Sequence, residues 1–94
     1  MFILSYTNTF EKDLKRIKKR STKDLELIYD FLNEELSQKQ ALSLAKKYRA
    51  HKLSGNYANH WECHIKSDLL IIWFEVLEEG KIRLIRVGTH ADLF

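Results

Sequence analysis

Four histidines, His51, His60, His64 and His90, lie in the second half of a 94-residue chain, interleaved with Glu62, Asp68, Arg83, Arg86 and Asp92. Imidazole is the one side chain that titrates near neutral pH without help from its surroundings, so histidines grouped with carboxylates and arginines suit general acid and base work. On an extended segment Glu62 and His64 point the same way, roughly 6 to 7 Å apart, near enough for the carboxylate to orient the ring. The same residues also fit an ordinary polar face of a surface strand. A zinc site does not follow: His60 and His64 would share a face on a helix, but on a strand they stand roughly 13 Å apart, with Cys63 pointing the other way. There is no G-x-S-x-G elbow for a serine nucleophile and no glycine-rich phosphate loop. The reading is therefore of a site with no metal and no cofactor. Its ingredients match phosphodiester cleavage in RNA, where a base takes the 2′-OH proton, a cation stabilises the phosphorane, and an acid protonates the leaving 5′-oxygen.

The elements that must position these groups can be read from periodicity. Proline is absent and Gly55, Gly80 and Gly88 all fall late, leaving the first half free to be helical. After a short strand over Phe2 to Tyr6, Asn8 is placed to cap a helix with Glu11 three residues on, and Phe10, Leu14 and Ile17 share its apolar face. Ser21 and Thr22 offer a second cap, followed by Leu25, Ile28, Leu32 and Leu36 at helical spacing with Phe31 beside them. Ser37 with Gln40 repeats the capping pattern before a short third helix through Leu42, Ala45 and Tyr48. From residue 59 the period becomes two: Trp61, Cys63 and Ile65 alternate with His60, Glu62, His64 and Lys66, a half-buried strand. Lys66, Ser67 and Asp68 turn, Leu69 to Leu77 is a nearly continuous apolar run, Glu78 to Gly80 turn again, and Ile82 to Val87 complete a meander. The order is β-α-α-β-β-β, an α+β fold with a mostly antiparallel sheet, joined by the first strand through a crossover and covered by two or three N-terminal helices.

Ninety-four residues form one core, so a single domain over 1–94 is expected. The composition, 45% hydrophobic and 31% charged, is that of a folded globular chain rather than a disordered one. The net charge is +3, with Lys12, Lys15, Arg16, Lys18, Lys19, Arg20 and Lys23 crowded in one segment and Lys46, Lys47, Arg49 and Lys52 in another. Such clusters fit either an anionic partner or the solvated face of a helix. The lone Cys63 excludes a disulfide framework, and no apolar run has the length of a signal or membrane segment, which reads as a cytoplasmic chain with no membrane partner.

H-K-L-S-G at 51–55, W-E-C-H-I-K-S-D at 61–68 and R-V-G-T-H-A-D-L-F at 86–94 occur together and in order. With the opening strand and paired helices, the whole chain closely resembles the YafQ-type toxins of the RelE/ParE superfamily. The resemblance implies a RelE-like fold and a ribosome-dependent mRNA endoribonuclease. It also implies a cognate antitoxin that wraps the toxin, and contact with operator DNA only through the antitoxin complex. Carried over by motif, the catalytic residues are His51, His64, Asp68 and His90, while Glu62, Arg86 and Phe94 contact substrate, with Lys52 read beside them. The chain departs from the family pattern at Ser67, where proline is common, at Trp73, where tyrosine is common, and at Val87, where threonine is common. Glu62 stands where some relatives have aspartate. His60 matches no motif position and is read as surface. Gly55 and Gly88 are read as backbone requirements and Trp61, Trp73 and Phe74 as core; for Phe94, stacking on a nucleobase competes with docking on the core. The competing functions are a non-catalytic toxin of the gyrase-inhibiting kind, whose members lack the combination of His51, His64 and His90, and an inactive toxin kept as its antitoxin's DNA-binding partner.

Overall fold

A computed structural model describes residues 1–39 and 41–94, with Leu42 described by its backbone alone. It contains one five-stranded sheet in the order β1-β5-β4-β3-β2. The first strand, β1 (Ile3–Tyr6), runs parallel to β5 (Lys81–Gly88), and the remaining pairs, through β4 (Leu69–Val76), β3 (Trp61–Lys66) and β2 (His51–Lys52), are antiparallel. The crossover read from the sequence is present, and the meander β3-β4-β5 falls where the period-two pattern placed it. Two elements were not expected: the two-residue β2, too short to display a period, and a single C-terminal turn of helix, α4 (His90–Leu93).

Helix α1 (Asn8–Arg20) is capped by Thr7 and not, as expected, by Asn8, which is its first helical residue. The reason is tertiary. The Thr7 hydroxyl accepts from Phe10 N at 3.2 Å and donates to Leu84 O at 2.8 Å, so the residue that ends β1 against β5 also starts the helix. The helix buries Phe10, Leu14 and Ile17, together with Asp13, and ends in Lys18, Lys19 and Arg20, which complement the negative end of its dipole. Ser21 then serves both sides of a tight corner: its N–H donates to Ile17 O at 2.7 Å and its hydroxyl accepts from Asp24 N at 3.1 Å, opening α2 (Thr22–Phe31). That helix widens into a π-helical turn over Leu32–Leu36, which keeps Leu32 and Leu36 in the core with Ile28 and Phe31. A 3-10 turn, Ala41–Leu44, leads into α3 (Ala45–Tyr48). The proposed pairing of Ser37 with Gln40, and the apolar role given to Leu42, lie outside the described residues.

The sheet is apolar on both faces. On the helix side Cys63, Leu69, Ile71, Trp73, Ile82, Leu84 and Val87 are buried beneath α1 and α2, the aliphatic ones each worth about 1.5–3 kcal/mol. On the other side Leu70 and Ile72 are buried by Leu93 of α4 and by Leu53, Tyr57 and Ile85. This smaller, outer core is covered by α4, which carries the predicted site residue His90, and by the loop between β2 and β3. Among the described residues no helix is long and apolar enough to cross a membrane.

Candidate active site

The register of the sheet assembles the first half of the site. Glu62 and His64 alternate with the buried Cys63 and so share the outer face, as the strand period required, and β2 sets His51 directly opposite Glu62. Glu62 Oε1 lies 3.5 Å from His51 Nε2 and 4.0 Å from His64 Nε2. At only 5% exposure, Glu62 is not the ordinary surface residue that the strand pattern alone allowed. Two imidazoles face this buried side chain. His51 is fixed from behind, its Nδ1 lying 2.9 Å from Arg49 O; a carbonyl only accepts, so Nδ1 carries the proton.

The second half comes from the β3–β4 turn and from α4. Asp68 Oδ1 accepts from the backbone N–H of His90 at 3.0 Å and lies 3.1 Å from its Nδ1. These two bonds hold the Asp68 carboxyl below its ordinary range, so it is ionised at neutral pH, can only accept, and fixes the proton of His90 on Nδ1. The free Nε2 of His90 is then available to substrate. His64 and His90 come together with ring centroids 5.8 Å apart.

Placement of His90 depends on the local chemistry of α4. Thr89 caps the turn by accepting from Asp92 N, and Asp92 in return accepts from Thr89 N at 3.0 Å, a reciprocal capping box. Glycine is needed at position 88 because a Cβ there would stand 2.8 Å from Asp92 Oδ2. Asp92 is also gripped from α1 by Arg20, at 2.6 Å, and lies 3.8 Å from Arg16. The charged face of α1 therefore clamps the turn that carries His90 and Phe94.

Phe94 is 67% exposed, its ring 6.1 Å from Tyr57 in an edge-on pair and 6.4 Å from His90. A cleft of about 340 Å³ lies beside it, lined by Ser54, Asn56, Tyr57, Leu93 and Phe94. Sequence reasoning passed over Tyr57, whose only signal was an aromatic ring in an otherwise polar loop after Gly55. It also passed over Asp13, an acid on the apolar face of α1 with 1% exposure. Asp13 accepts from Val87 N at 3.0 Å, on the stretch of β5 that extends beyond its pairing with β1, and from Arg86 Nε at 2.8 Å and Nη2 at 3.1 Å.

Arg86 is thus tied to Asp13, with a further bond to Asp92 O at 3.3 Å. Lys52 is exposed, its Nζ 5.7 Å over the Trp61 ring, and by register it lies opposite Trp61 rather than Glu62. His60 was read as surface; it is instead half-buried against Phe74, with ring centroids 5.3 Å apart, and stands outside the histidine group. Trp73 is buried as expected, whereas Trp61 and Phe74 are only partly so.

Residues 3–94 match the family described as the bacterial toxin of type II toxin-antitoxin system, YafQ. The chain is 30% identical over 91 residues to the mRNA interferase toxin YafQ of Escherichia coli strain K12, covering 97% of this chain and 94% of that one. Its structure is similar to a metal-bound toxin from Helicobacter pylori, with 36% identity, a TM-score of 0.82 and full coverage of both chains. It is also similar to a chain in the E. coli DinJ-YafQ complex, with 25% identity, a TM-score of 0.68, and coverage of 100% of this chain and 99% of that one. Among the described residues of the present chain no group of three or more His, Cys, Asp or Glu side chains is arranged to hold a metal ion.

Proposed function

We propose, because the chain belongs to the YafQ family of bacterial type II toxins, that it is a ribosome-dependent mRNA endoribonuclease that cleaves without a metal, by attack of the substrate's own 2′-OH. The observation that carries this reading is the meeting of His64 and His90 at 5.8 Å, with a carboxylate near each: Asp68 3.1 Å from His90 Nδ1 and Glu62 4.0 Å from His64 Nε2. Two imidazoles at this spacing supply a base and an acid for in-line transfer. One removes the 2′-OH proton, the oxygen attacks the adjacent phosphorus, the bond to the 5′-oxygen breaks, and the other protonates that oxygen. Asp68 orients His90, and Glu62 orients His51 and His64, so Glu62 acts through the histidines and not by touching RNA. Arg86, already fixed by Asp13, is a preorganised positive charge for the phosphorane. Phe94, exposed beside His90, offers a face on which a nucleobase stacks. Lys52, on the strand that carries His51, adds to the field that draws the phosphate backbone.

Residues 1–94 act as one toxin domain in the cytoplasm, neutralised by a cognate antitoxin, and operator DNA is contacted through that complex. A DinJ-YafQ complex among the similar structures supports the protein partner. The experiment places a single 2′-deoxy nucleotide just upstream of the cut in an mRNA held in the ribosomal A site and measures single-turnover cleavage. Cleavage should stop, and unmodified RNA should yield a 2′,3′-cyclic or 3′-phosphate upstream and a 5′-hydroxyl downstream. Unaltered cleavage, or a 5′-phosphate, would make water the nucleophile and end the reading. Growth arrest with intact mRNA and a poisoned protein target would point to a non-catalytic toxin.

A further inference from the structure

The basic residues just before His51 look alike in sequence, but the fold separates them. Between α3 and the β3–β4 turn lies a cleft of about 350 Å³ lined by Lys47, Arg49, His64, Lys66 and Ser67 among others, which shares His64 with the catalytic group and has no acidic side chain in its wall. Its volume is within the range of small-ligand sites. Two of its three cations are engaged elsewhere: Lys66 Nζ lies 2.7 Å from Asp24 and Lys47 Nζ 3.9 Å from Glu35. Arg49 makes no ion pair among the described residues. It adopts the left-handed conformation, φ 54° and ψ 39°, which is uncommon for a residue with a side chain and tends to be retained where function requires it. That conformation turns the chain from α3 into β2, so that the Arg49 carbonyl meets His51 Nδ1 while Arg49 and His64 both line the cleft.

We infer that Arg49 is a substrate-binding residue which seats, in this cleft, a phosphate flanking the scissile one. The inference rests on the proposed RNA cleavage and extends it with a subsite that the motif residues do not include. A guanidinium presents paired donors that match two phosphate oxygens, which the ammonium of a lysine cannot do in one plane. Because His64 is a wall of both the cleft and the catalytic group, a phosphate held by Arg49 sets the register of the strand across His64 and His90. The same residue orients His51 through its backbone, a contact that side-chain replacement leaves in place.

The test uses ribosome-bound mRNAs in which one phosphate flanking the scissile bond, on either side, is replaced by an uncharged methylphosphonate. With wild type, one of the two replacements should lower kcat/KM about tenfold to a hundredfold, the loss expected for one charge-assisted hydrogen-bonded contact. Arg49→Gly, which suits the left-handed backbone, should show a similar loss on unmodified RNA and then be indifferent to that replacement. Arg49→Gln should behave alike, and unchanged melting temperatures would show that both variants fold. If either variant stays as sensitive as wild type to both replacements, Arg49 does not hold a phosphate. If the variants cleave normally but bind antitoxin more weakly, the cleft serves a protein and the inference fails. Absence of cleavage by wild type on every RNA would instead overturn the function on which the inference rests.

Discussion

Replacing Asp13 by alanine removes a carboxylate that closes four hydrogen bonds: to Val87 N at 3.0 Å, Arg86 Nε at 2.8 Å, Arg86 Nη2 at 3.1 Å and Arg16 Nη2 at 2.8 Å. Arg16 is partly exposed and regains water, but the Val87 N–H is buried and Arg86 is largely so. Removing one partner of a buried pair costs about 3–5 kcal/mol, of which a stranded N–H accounts for about 1–3 kcal/mol. A domain of this kind is stable by about 5–15 kcal/mol in all, so the variant should forfeit roughly a fifth or more of its margin. At about 4–8 °C per kcal/mol for a chain of this size, the melting temperature should fall by on the order of 15 °C or more. Urea unfolding followed by tryptophan fluorescence measures the loss as a lower midpoint with an unchanged slope. Adding Arg86→Met should recover much of it, since the unpaired charge leaves with its partner. A loss under about 1 kcal/mol for Asp13→Ala, within the range of ordinary surface substitutions and their neighbours, would show that water reaches Val87 and Arg86 and that Asp13 does not hold this edge.

Gly88→Ala drives a Cβ to within 2.8 Å of Asp92 Oδ2, so α4 must shift; cleavage should fall at least tenfold, and normal cleavage would mean that the seating of His90 is unimportant. The Asp92 carboxyl is held far below the usual carboxylate range, chiefly by Arg20 and then by Thr89. Its stabilisation is therefore complete above the unfolded value of about 3.9 and is lost as pH falls toward the folded one. Asp92→Asn should melt below wild type at pH 7, and thermal scans should show the two converging in acid; a constant gap would contradict the ion pair. Burial, and then the charge of Glu62, push the Cys63 thiol up, so iodoacetamide should leave it unmodified in the folded protein and label it in urea. Ribosome binding should weaken steeply with salt, and Lys→Gln changes across Lys12–Lys23 and Lys46–Lys52 should flatten that slope; an unchanged slope would make both clusters merely solvated faces.

The sequence carried the fold wherever a period was long enough to count. Phe10, Leu14 and Ile17 marked α1, and the alternation around Cys63 put Glu62 and His64 on one face. It did not carry what depends on partners distant in the chain. Thr7 outcompetes Asn8 as cap because Leu84 O stands beside its hydroxyl, a residue 77 positions away. Asp13 looked like one more charge on a basic helix, although its place among Phe10, Leu14 and Ile17 was a readable anomaly. The histidines were legible by motif, and their convergence was not: His51 meets Glu62 through a two-residue strand, and His90 is swung toward His64 by a single turn of helix. Arg49 and Lys52 sat in one basic run, and only the left-handed turn between α3 and β2 distinguishes them.

The parallel pairing of β1 with β5 also governs when the molecule becomes itself. Ile3 lies beside Lys81 and Tyr6 beside Leu84, contacts between opposite ends of the chain, while β5 occupies an interior place in the sheet. During synthesis the helices and the β3–β4 hairpin can gather early, but β1 has no strand to pair with until β5 has been made. Such long-range closure is slow and comes last. His90 lies beyond β5 on α4, which α1 grips only once that closure has occurred. The group that His90 completes is therefore assembled only after the last strand has been made and has closed against the first.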